Sequence, residues 1–157
     1  MDPSSNPFAP DPATVLLCEG DRDLRLALTS LLERAGHRAL CVSDARAALS
    51  AAIATSPACI VLDLPLPGAE AAEVLRMLRG LSRAREVPVV LIAAPDLPVD
   101  RSAGLRPDVD QRLPPTVRPE VLLKAVARAV TLAGSLLEAQ RGAVQGLECR
   151  ADALYGP

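Results

Sequence analysis

The chain has 157 residues, half of them apolar, a net charge of −2 and only two aromatic side chains, Phe8 and Tyr155. This length fits one domain with an aliphatic core, and it offers no aromatic platform for stacking bases or sugars. Its 17 basic residues, of which Lys124 is the single lysine, face 19 acidic ones, so no nucleic-acid partner is expected. The apolar stretches are too short to span a membrane and no signal-peptide pattern opens the sequence, so a cytoplasmic location is expected, with no membrane partner.

Residues 1–13 carry Pro3, Pro7, Pro10 and Pro12 among small residues and read as a Pro-rich, disordered leader. A regular alternation follows. Val15-Leu16-Leu17-Cys18 is a short apolar strand, and Leu24, Leu28, Leu31, Leu32 and Ala35 then recur at helical spacing until Gly36 ends the helix. Ala39 to Val42 is a second strand, with an Ala-rich helix over about Asp44–Thr55. Ala58 to Leu62 is a third, and Val74, Leu75, Leu78 and Leu81 mark a helix over about Ala69–Leu81. Val87 to Ile92 is a fourth strand. Pro95, Pro98, Gly104 and Pro107 then crowd the next helical stretch, which should be short or irregular. Val109 to Leu113 is a weak fifth strand, and a last helix begins near Arg118 or Pro119.

Strands alternating with helices predict a parallel sheet covered on both faces, of the flavodoxin-like doubly wound kind with strand order 2-1-3-4-5. Cys18, Cys41 and Cys59 sit in candidate strands as small apolar side chains, and with Cys149 they show no metal spacing. His37, the only histidine, has no visible catalytic partner and reads as structural.

Asp63 closes the run Cys59-Ile60-Val61-Leu62 and precedes Leu64-Pro65-Leu66-Pro67-Gly68. A carboxylate at the carboxyl end of a buried strand stands where open α/β sheets hold ligands, although an acid there can also merely begin a loop. In the predicted order the ends of strands one and three are neighbours, which brings Glu19, Gly20 and Asp21 beside Asp63. An acid cluster in that crevice points to function.

These runs, with Asp23-Leu24-Arg25 and Pro88-Val89-Val90-Leu91-Ile92, resemble the receiver domain of bacterial response regulators over about residues 14–130. The resemblance implies that Asp63 accepts a phosphoryl group from a histidine kinase, as a nucleophile rather than as part of an enzyme with turnover. It implies Mg²⁺ held by Asp63, by the Pro65 backbone carbonyl and by an acidic pair after the first strand. Of that pair Glu19 is present, one methylene longer than the usual Asp, and Gly20 replaces the second acid. Asp21 is a further candidate ligand. Ala93 stands where the family has a hydroxyl, and Pro114-Pro115, or Leu113-Pro114 one position earlier, replaces its Lys-Pro. Arg112 is near in sequence, and alternation along the strand leaves its direction open. Gly20, Ala93 and Pro114 therefore mark a degenerate phosphorylation site with impaired Mg²⁺ binding, and a pseudo-receiver acting through a signalling protein or kinase partner. The alternative is a working phosphoacceptor on Asp63. A flavin or nucleotide binder is disfavoured, because no Gly-rich phosphate loop opens the first helix.

Residues 131–157 form a helical extension in which Ala133, Leu136, Gln140, Ala143 and Leu147 continue a four-three stripe from Leu122, Val126 and Ala129. That stripe suits either docking on its own domain or a homodimer seam through the last helix. Its length is too short for a helix-turn-helix output domain.

Overall fold

The computed structural model describes residues 12–155, so all of the expected leader except Pro12 and Ala13 lies outside it. Strands β1 (Thr14–Cys18), β2 (Arg38–Val42), β3 (Cys59–Asp63), β4 (Val89–Ile92) and β5 (Gln111–Leu113) form one parallel sheet. The order is β2-β1-β3-β4-β5, the doubly wound arrangement expected. β1, β3 and β4 are covered on both faces, which is why they read as unbroken apolar runs rather than alternating ones. Side-chain alternation divides them between two cores. Leu16, Ile60, Leu62 and Leu91 point into one, while Val15, Leu17, Val61 and Val90 point into the other.

The first core is covered by α2 (Ala45–Ala54) and α3 (Ala71–Gly80), the second by α1 (Arg22–Arg34) and the start of α4 (Pro119–Tyr155). Asp21 and Asp44 cap α1 and α2, accepting from the backbone N–H of Leu24 and Ala47 at 2.8 Å each. α3 starts two residues after the expected Ala69. Gly68 ahead of it has φ 97°, and the Pro67 carbonyl accepts from Ala45 N at 2.8 Å, so the chain still turns there.

Between β4 and β5 the proline-rich stretch makes only a 3₁₀ turn, Arg101–Ala103, in place of a full helix. The turn is capped by Asp100 and closed by Gly104 at φ 98°. β5 begins at Gln111 instead of Val109, because Asp110 turns its carboxylate inward to accept from Val89 N at 2.8 Å. α4 has 37 residues, about 55 Å at 1.5 Å per residue. Leu122, Ala125, Val126 and Ala129 are buried, and Ala133 and Leu136 half-buried. Farther along, Gln140 and Ala143 are exposed and Leu137 and Val144 are 56% and 54% exposed, so only the first part of the stripe docks on the domain. The side chain of Leu147, expected in that stripe, lies outside the described residues.

Candidate functional site

The carboxyl ends of β1 and β3 open into a cleft of about 560 Å³. Parallel pairing of β1 with β3 sets Cys18 beside Leu62, so the next residues, Glu19 just after β1 and Asp63 at the end of β3, emerge together. Glu19, Gly20, Asp21, Asp63, Pro65 and Pro115 all line the cleft.

Glu19 is 6% exposed. Its Oε1 accepts from Asp21 N at 2.9 Å, while its Oε2 is buried with no hydrogen-bond partner. Asp63 is only partly buried, yet its carboxyl is pushed up to about 8 from an ordinary value of 3.8. Burial is the larger cause; contact with and repulsion from Glu19 add to it. Two carboxylates thus share one corner without enough positive charge. Arg25 does not supply it, since its Nη1 donates to the Glu19 carbonyl at 2.9 Å and so braces the β1–α1 backbone. Asp21 is exposed and its Oδ1 is engaged as the α1 cap.

The positions carried over from the family resemblance separate in space. Gly20 sits against the β3–α3 loop, and a Cβ there would lie 2.8 Å from Pro67 Cδ. The vacant second acid is therefore a position with no room for a side chain as the loop now stands. Ala93 is 1% exposed, packed in the core and hydrogen-bonded through its N–H to the Leu113 carbonyl. Of the two prolines after β5, Pro115 lines the cleft and Pro114 does not.

Arg112, left open by the sequence, turns toward the β4–β5 connection. Its guanidinium donates to the carbonyls of Ala94 and Val99 at 2.6 Å and of Leu97 at 2.8 Å. It pins that loop and adds no charge to the cleft wall. Sequence reasoning missed this role because a three-residue strand gives too little alternation to fix a face.

Among the described residues no set of three or more His, Cys, Asp or Glu side chains converges as a metal centre. The acid pair nevertheless fits a hard divalent cation, because a cation would neutralise Asp63 and give Glu19 Oε2 the partner it lacks. Asp63, Glu19 and the Pro65 carbonyl are the groups that would hold it. The thiols take no part: burial pushes Cys18 and Cys59 up to about 12 each. No described helix is long and apolar enough to cross a membrane.

The family model for the response regulator receiver domain matches residues 15–127. The transcriptional regulatory protein AfsQ1 of Streptomyces coelicolor is 33% identical over 118 residues, covering 73% of this chain and 51% of that protein. The response regulator MprA of Mycolicibacterium vanbaalenii is 32% identical over 123 residues, 76% of this chain and 52% of its own. The chain thus spans about half the length of these curated relatives. In fold it is similar to the receiver domain of the sensor histidine kinase PA1611 of Pseudomonas aeruginosa, a structure with magnesium coordinated in its active-site cleft. That likeness has a TM-score of 0.67 at 23% identity and covers 76% of this chain and 98% of the other. With its sheet order, its paired acids at the switch point and these matches, the chain belongs to the response regulator receiver domain family.

Proposed function

We propose that this receiver domain of two-component signalling has a degenerate phosphorylation site and acts mainly through protein–protein contacts. One observation carries the proposal: among the described residues the cleft wall holds three carboxylates, Glu19, Asp21 and Asp63, and no lysine, arginine, serine or threonine. Phosphoryl transfer to Asp63 would put a dianion beside Glu19, and catalysis of such a transfer consists almost wholly of positioning and charge neutralisation. Each missing donor typically lowers the rate by roughly 10²–10³. Together the losses amount to about 10⁴ or more, short of strict additivity.

The same residues weaken a phosphorylation-driven switch. Ala93 has no hydroxyl to meet a phosphate oxygen, and Arg112 is already committed to three carbonyls of the loop that would have to move. Output would then pass through the face made by the 3₁₀ turn, β5 and α4 with its extension, to a signalling protein or a histidine kinase in the cytoplasm. Divalent-cation binding would be weakened, because Gly20 brings no ligand and Asp21 serves as a helix cap.

A second reading has its own support. The unpartnered Glu19 Oε2 beside Asp63 suits Mg²⁺, whose bound charge would let Asp63 accept a phosphoryl group slowly. Incubation with acetyl phosphate and Mg²⁺, read by intact mass, separates the two. We expect no adduct on the wild-type chain after times that saturate a working receiver. An adduct that Asp63→Asn abolishes would establish the second reading instead.

A further inference from the structure

The acidic cleft does not end at its carboxylates. Leu24, Asp63 and Pro115 line it and also line an adjoining hollow of about 250 Å³ between α1 and the start of α4. Leu28, Leu31, Val117 and Leu122 belong to the wall of that hollow, and among the described residues Asp63 is its only charged member. The two hollows thus make one continuous surface, a negative corner opening onto an aliphatic shelf. Leu24, 44% exposed, stands at the junction.

Glu19 adds an independent observation. It lines the corner, is 6% exposed, and its Oε2 is buried with no hydrogen-bond partner. A buried carboxylate oxygen normally meets a donor. Arg25 is spent on the carbonyls of Glu19 and Gly20, at 2.9 Å and 3.4 Å, and among the described residues no lysine or arginine lines either hollow. The donor that would complete the corner must therefore come from outside the domain.

The shelf decides between two kinds of cation. A magnesium ion needs near-octahedral oxygen ligands and would leave the shelf unused. An arginine uses both halves of the surface. Its planar fork offers five N–H donors, enough to serve two carboxylates at once, and it is less strongly hydrated than an ammonium, so it is the cheaper cation to bury. Apolar neighbours in the same segment then cover the shelf.

We infer that this double hollow receives an arginine of a partner protein, its guanidinium bridging Glu19 and Asp63, with an apolar residue of the same segment resting on Leu24, Leu28 and Val117. The inference rests on the proposed degenerate site, because a phosphoryl group on Asp63 would fill the same corner. It gives the cleft a docking role in place of the phosphate, and the partner supplies in trans the positive charge that the cleft wall lacks.

The probe is the peptide acetyl-Leu-Ala-Ala-Arg-amide, titrated into the full chain and followed by amide NMR shifts. Saturable shifts over residues 19–24 and 115–122 are expected. Replacing its arginine by citrulline, which has nearly the same shape without the charge, should weaken binding roughly ten-fold or more, the worth of about one charge-assisted hydrogen bond. Glu19→Gln and Asp63→Asn should each weaken it several-fold. Leu24→Ser should weaken the leucine peptide but leave a peptide with serine in place of that leucine unaffected. No saturable shift, equal binding of the citrulline peptide, or indifference to Leu24→Ser overturns the docking. So does millimolar MgCl₂ that shifts the same amides and excludes the peptide, which gives the corner to a divalent cation. Self-association without peptide that Asp63→Asn abolishes gives it to a second copy instead and overturns the partner. Acetyl phosphate is left out of these titrations, so a failure here removes the docking alone, whereas an Asp63 adduct in the mass experiment removes the reading beneath it.

Discussion

At the amino-terminal end of the sheet Asp110, its side chain fully buried, accepts from Val89 N at 2.8 Å and Arg106 N at 2.7 Å and is paired with Arg79. At the carboxyl-terminal end Asp63 meets a second carboxylate, and Glu19 keeps one oxygen without any partner. Arg79 extends the first cluster, donating to the carbonyls of Val87 at 2.7 Å and Gly104 at 3.0 Å. The same polypeptide can therefore surround a buried acid with donors when architecture requires it. The acid pair at the other end of the sheet lacks such donors, and that contrast supports the proposed binding role of the cleft.

The largest effect should come from breaking the donor-rich cluster around Asp110, in which only Arg106 Nε lacks a hydrogen-bond partner among the described residues. Asp110→Ala strips Arg79 of its buried partner and frees Val89 N, and should cost about 3–5 kcal/mol in chemical denaturation. Next is Arg112→Ala, which leaves the carbonyls of Ala94, Leu97 and Val99 without their common donor. A loss of about 1–3 kcal/mol and faster hydrogen exchange over residues 94–104 are expected.

Asp63→Asn should act in the opposite direction. The folded chain holds the Asp63 carboxyl at about 8, above its ordinary 3.8, so folding favours the protonated form. That contribution is fully present below about pH 4 and is lost as the pH rises through 8. Wild type should lose stability across this window, and Asp63→Asn should flatten the loss. Because solvent still reaches the carboxyl, the gain above pH 8 should be on the order of 1–2 kcal/mol. Melting curves at pH 5 and pH 9 on both proteins measure it, and equal slopes for the two would remove the claim of a charge-starved cleft.

The contrast between the two clusters also marks what can be read from sequence. Apolar runs buried on both faces announced β1, β3 and β4, and the crowding of Pro95, Pro98 and Pro107 announced the collapse of a helix into a 3₁₀ turn. That Asp63, Glu19 and Pro65 share one cleft was legible because strand order alone brings their positions together. The Arg79–Asp110 pair was not. Arg79 follows Leu78 on α3, and Asp110 stood inside a run assigned to strand, where an acid can face either way. Their meeting across 31 positions depends on loop paths that no local period encodes. An Arg beside the buried stripe of a helix and an acid at the start of a strand were the only available clues. Which of the two prolines after β5 lines the cleft was not legible either, since one residue of slip in a three-residue strand exchanges Pro114 for Pro115.

The ring of Pro67 beside Gly20 limits what position 20 can hold. In Gly20→Asp the first side-chain carbon would meet that ring at 2.8 Å. A third acid there would need a coordinated shift of the Pro67 turn, whose carbonyl is tied to Ala45. One substitution at position 20 is therefore not enough to add a carboxylate to the cleft; the turn has to be rebuilt with it.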